Sequence, residues 1–91
     1  MKISDYPDIL KTDCNFPAEY DYMEVKVIFT NNSYHLETPI EDETEFVIHA
    51  WDFCELENLY NTFCMEEHIS NDTVTEIIIT SAAKSYDELC A

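Results

Sequence analysis

Ninety-one residues carry four Lys, no Arg and twenty Asp or Glu, a formal net charge of −16. Hydrophobic residues make up 46% and aromatic residues 13%, too much for a disordered chain, and the length suits one domain (1–91) near the small end of chains that bury their own core. The charge excludes direct binding to phosphate backbones, which needs Lys and Arg. The absence of Gly excludes phosphate-cradling loops, dinucleotide fingerprints and glycine-flanked nucleophiles.

Met1 to Pro7 has no apolar signal-peptide core, and no apolar run approaches a membrane span. The expectation is a cytoplasmic protein with Cys14, Cys54, Cys64 and Cys90 as reduced thiols. Asp5 to Lys11 reads as a short helical turn with Pro7 near its first position, and 15–19 as loop. From Met23 to Thr30, Met23, Val25, Val27 and Phe29 alternate onto one face and Glu24, Lys26 and Thr30 onto the other, a strand pattern. Asn31 to Ser33 is a turn without glycine, and Tyr34 to Thr38 alternates again, so a hairpin is predicted over 23–38.

Pro39 to Thr44 reads as an acidic connection. Glu45 to Trp51 has the β-branched and aromatic content of a strand, although Phe46, Ala50, Phe53, Tyr60 and Cys64 also fit one helical stripe over about 42–68. A strand followed by a helix is preferred, because Asp52 resembles an N-cap with Glu55 at the third helical position. The helix is predicted over 53–68, with Phe53, Leu56, Leu59, Tyr60 and Phe63 inward. Residues 70–72 stop it, 73–80 form a strongly β-branched strand, and 81–90 suit a short terminal helix. The fold class is α+β: a small antiparallel sheet against one main helix.

Side chains able to do chemistry are few. Cys64 and His68, four apart, would share a helical face and invite a metal or an activated thiol. Two ligands do not make a site, and Cys54 lies too far along the helix to join easily, so a buried Cys beside an exposed His is preferred. Neither His35 nor His49 has a nucleophile beside it in a recognisable arrangement. Asp42 to Glu45 lacks the alternating ligands and glycine of a calcium loop. No cofactor, no metal site and no enzyme activity are expected.

What remains is the charge itself. Between Lys26 and Lys84 there is no Lys or Arg, while twelve carboxylates fall in that stretch. Rows of carboxylates a few ångströms apart imitate the spacing of backbone phosphates, and Lys and Arg of a basic protein would pair with them instead. Glu41, Asp42, Glu43, Glu45, Asp52, Glu55, Glu57, Glu66 and Glu67 are the expected contact residues, with Tyr20, Tyr22, Tyr60 and Trp51 as aromatic anchors. Glu66 and Glu67 at a predicted helix C-terminus oppose the macrodipole, a placement that stability alone does not favour.

In size, charge and hairpin-plus-helix pattern, the chain resembles small acidic phage proteins that mimic DNA. They include DNA-mimic anti-CRISPR proteins, the uracil-DNA glycosylase inhibitor and antirestriction proteins, with the anti-CRISPR group nearest. The resemblance spans the whole chain as a class, without an alignable motif. It implies a noncatalytic inhibitor occupying the DNA-binding site of a CRISPR effector in the host cytoplasm, with a basic nucleic-acid-binding protein as partner and no nucleic acid or membrane bound. The alternatives are an immunity or antitoxin protein neutralising a basic nuclease or toxin, and a small metalloprotein using Cys54, Cys64 and His68.

Overall fold

A computed structural model describes residues 8–31, 38–69 and 73–90. In chain order the described elements are β1 (Leu10–Thr12), β2 (Tyr22–Asn31), β3 (Ile40–His49), α1 (Phe53–Glu66), β4 (Thr73–Ala83) and α2 (Tyr86–Cys90). The fold is α+β: one four-stranded, mostly antiparallel sheet of order β1-β4-β2-β3, with α1 as its main helix.

Antiparallel pairing of β2 with both β3 and β4 means that β3 and β4 run in the same direction on either side of it. A parallel pair cannot be joined by a tight turn. Helix α1 makes the crossover and lies over the face of β2 between them. That placement explains the alternation in β2: Met23, Val25, Val27 and Phe29 face the helix and none is more than 3% exposed. Ile48 of β3, Ile77 and Ile79 of β4, and Leu56 and Tyr60 of α1 complete the core. Phe29 meets Tyr60 and Phe63 edge-on at centroid distances of 5.7 and 5.8 Å. Burial of each such side chain contributes about 1.5–3 kcal/mol, and an edge-on aromatic pair adds roughly 0.5–1.5 kcal/mol.

The pairing of β2 with β4 shifts register twice, leaving Thr80 and Thr75 as extra residues on β4. A bulge frees a carbonyl on the partner strand. Here the Thr80 hydroxyl donates to the Glu24 carbonyl at 3.2 Å, and the Thr75 hydroxyl donates to the Ile28 carbonyl at 3.2 Å. Two bulges are thus accommodated in a chain without glycine.

Several predicted boundaries move. The hairpin's first arm is β2, but its partner is β3, and the proposed return arm at 34–38 lies outside the described residues up to 37. Ile40 to Thr44, read as connection, is the first half of β3. Its acids mask an edge strand, where only one face and one side are covered. The strand-or-helix ambiguity over 42–51 resolves as strand to His49, then a turn. The helical turn expected over 5–11 is corrected where it can be seen. Leu10 to Thr12 run parallel to β4, with the Ile77 N–H donating to the Ile9 carbonyl at 2.9 Å and the Asp13 N–H to the Ile79 carbonyl at 2.9 Å. That pairing is between residues far apart in the chain, so local patterning could not announce it.

Helix α1 has the expected inward face and the expected N-cap: the Asp52 carboxylate accepts from the Cys54 N–H at 3.1 Å. It stops at Glu66, two residues early. His68 takes a left-handed φ of 54°, its N–H donating to the Met65 carbonyl while the Ile69 N–H donates to the Cys64 carbonyl at 3.0 Å. This is a Schellman ending with His where Gly is usual, and Ile69 packs back on the core.

Candidate acidic interface

Positive charge is already committed among the described residues. Lys11 pairs with Glu76 at 2.6 Å, Lys26 with Glu43 at 3.7 Å, and Lys84 with Asp21 at 3.0 Å and Glu19 at 3.9 Å. Each is an exposed or half-exposed pair worth at most about 1 kcal/mol. Their importance is positional, because Lys11 and Lys26 belong to the sheet face away from α1 and Lys84 follows β4. No described lysine pairs with α1 or with the start of β3 from the helix side.

Strand β3 sets out four of the nine predicted contact residues, Glu41, Asp42, Glu43 and Glu45. Glu41, Glu43 and Glu45 stand on the sheet face away from α1, opposite Thr30, Ile28 and Lys26 of β2. Successive members of that row are roughly 6.6–6.8 Å apart along the strand. Glu41 and Glu45 form no ion pair with a described lysine, and all three glutamates are exposed. Asp42 points to the opposite face, where its Oδ1 accepts from the Glu43 N–H at 2.8 Å.

The C-terminal end of α1 comes down beside that end of β3. Asp42, Glu43 and Glu67 share a cleft of about 440 Å³ with Asn31, Ile40, Phe63 and Ile69. Glu66 and Glu67 are exposed, with no basic residue in the helix's last turn. Sequence reasoning placed the acids here but missed Asn31, Phe63 and Ile69, which nothing but the fold brings to the same cleft.

At the other end of β3 the predicted residues have work inside the fold. Asp52 caps α1. Glu55 reaches back to His49, its Oε2 accepting from the His49 N–H at 3.0 Å and lying 2.9 Å from Nδ1 of the same residue. Partial burial pushes the Glu55 carboxyl up. The backbone N–H, the ring hydrogen bond and the charge of His49 together outweigh it and hold Glu55 below the ordinary carboxylate range. Glu57 is half-buried on the helix. The nine acids therefore divide. Glu41, Asp42, Glu43, Glu45, Glu66 and Glu67 gather at one end, Asp52 and Glu55 hold the β3–α1 junction, and Glu57 lies along α1 between the two groups.

The aromatic anchors divide similarly. Tyr60 is 4% exposed and belongs to the core, since its i−4 and i+3 neighbours Leu56 and Phe63 share the buried stripe. Trp51 is 70% exposed and its ring centroid lies 4.9 Å from that of His49, which in turn lies 5.0 Å from Tyr22. Tyr20 is partly exposed against Phe16.

Chemistry elsewhere is sparse. Cys14, Cys54 and Cys64 are not joined in disulfides. His68 lies beyond the end of α1 in a left-handed conformation, so it does not share a helical face with Cys64. Among the described residues no three His, Cys, Asp or Glu side chains are grouped to hold a metal, and no helix is long and apolar enough to cross a membrane. No protein-family model matches the chain, and comparison with curated proteins and with solved structures returns no match.

Proposed function

We propose that this chain is a noncatalytic inhibitor that binds a basic nucleic-acid-binding protein in the cytoplasm by presenting carboxylates where that protein expects phosphates. The most concrete target is the DNA-binding site of a CRISPR effector. The observation that carries the reading is the unequal distribution of charge. Every described lysine is committed to a carboxylate, and a row of exposed glutamates at regular spacing runs along the edge strand. A basic groove would meet that row with Lys and Arg, giving fast and salt-sensitive association.

The test replaces Glu41, Asp42, Glu43 and Glu45 together with Ser. These four are exposed, so the fold is expected to persist, as circular dichroism would report. Affinity for a CRISPR effector, measured in competition with its DNA, is expected to fall by at least about tenfold at low salt. Inhibition that survives the four substitutions unchanged would overturn the charge-mimic reading.

A further inference from the structure

The edge of β3 that faces away from β2 is unpaired in the described sheet, and its outward groups can be assigned one by one. Ala50 donates its N–H to the Asp21 carbonyl on the β2 side, while the His49 N–H points the other way, to Glu55. An antiparallel strand turns its backbone groups alternately towards and away from its partner. With unbroken register from Tyr22↔His49 to Asn31↔Ile40, the N–H and C=O groups of Val47, Glu45, Glu43 and Glu41 all point outward. The Glu43 N–H confirms the direction, since it is taken by a side chain, Asp42, rather than by β2.

Two carboxylates therefore attend this edge. Glu55 holds the His49 donor firmly at the helix junction and ends the available edge there. Asp42, exposed and bonded to its own neighbour, is easily displaced. Between them lies an edge of four outward-facing residues, long enough for a seven-residue extended segment.

The side chains decide what can fill it. Glu41, Glu43 and Glu45 share one face, and residues directly opposite on an added strand would stand with Cβ atoms about 4.5–5.5 Å away. A second copy of this chain pairing through β3 would set glutamate against glutamate, which is unfavourable. A strand bearing Lys or Arg at alternate positions would set a cation against each glutamate. We infer that the outer edge of β3 is a strand-addition site for an extended basic segment of a partner protein, held by main-chain hydrogen bonds to Glu41, Glu43, Glu45 and Val47 and selected by the three glutamates. This deepens the proposed function and rests on it for the partner's basic character. It adds a backbone component that phosphate mimicry alone does not have.

The test uses the intact protein and an acetylated, amidated seven-residue peptide alternating Lys and Thr. Two derivatives are N-methylated, one on every Lys backbone nitrogen and the other on every Thr nitrogen. Both keep the charge, but an extended peptide turns only one of these sets towards β3. Strand addition predicts that one set weakens binding by at least about tenfold while the other changes it by less than about twofold. It also predicts slower amide exchange at Glu45 and Val47 on binding of the unmethylated peptide.

Salt-sensitive binding that both derivatives share equally would overturn strand addition and leave the charge-mimic reading standing. No binding at low salt would overturn it as well. A protein that sediments as a dimer, and that Glu45→Pro returns to monomer, would assign the edge to a second copy instead. Retained inhibition by the fourfold Ser variant is a separate outcome and removes the charge-mimic reading whatever the peptide does.

Discussion

Strands β2 and β3 are each ten residues long and pair without a break, yet they tolerate opposite kinds of residue. β2 has a neighbour on each side and α1 above it, and it alternates buried and half-buried positions along nearly its whole length. β3 is exposed from Ile40 to Glu43 and sinks fully into the core only at Ile48. A central strand must supply an apolar side chain at every second position. An edge strand anchored at one end leaves the other end free to carry charge, and in this molecule that free end holds the acidic row.

The contrast breaks most visibly at Phe29. Phe29→Ala empties a fully buried site against two aromatic rings and is expected to cost about 3–5 kcal/mol, a large part of the 5–15 kcal/mol that holds a typical domain together. Ile40→Ala, on the half-exposed start of β3, is expected to cost within about 1 kcal/mol. Urea unfolding of both variants measures this directly, and similar losses would mean that the two strands are structurally equivalent after all.

A smaller effect sharpens the account of how β3 is anchored. Because Glu55 is held below the ordinary carboxylate range, the folded chain binds its proton less readily than the unfolded chain does. Its contribution is complete above the unfolded value, near 4.3, and is lost as the pH falls through the lower folded value. The stability difference between the wild type and Glu55→Gln should shrink as the pH falls below about 4.3. A difference independent of pH would mean that His49 does not hold the carboxylate. The smallest expected change is at the other end of α1. His68→Gly relieves a left-handed residue and should stabilise the chain by up to about 1 kcal/mol. A loss of stability in thermal unfolding would contradict the Schellman assignment.

Legibility in the sequence followed the same division. β2, the inward stripe of α1, the Asp52 cap and the β-branched run of β4 were all visible, because each has a local period or a local hydrogen bond as its signature. β1 was not, since three residues pairing with a distant strand have no period to show. The start of β3 was misread because Glu41 to Glu45 carry the composition of a loop, and only the ladder to β2 makes them a strand. For the candidate site, the acids themselves were legible. One fact was not: that Glu55 is bonded to His49, which depends on where α1 comes to rest. Asp52 and Tyr60 each carried two expectations, cap and contact for the first and inward and anchor for the second, and the fold has Asp52 as cap and Tyr60 buried.

The chain's one tryptophan, Trp51, lies mostly in water in the folded state, beside the His49 ring. Its emission maximum is therefore already close to that of an unfolded chain, and wavelength would register little when the protein melts. Intensity is the better optical signal, because unfolding separates the indole from the imidazole that now lies against it. The same residue sits at the junction of β3 and α1, so the fluorophore watches the anchored end of the acidic strand rather than the core.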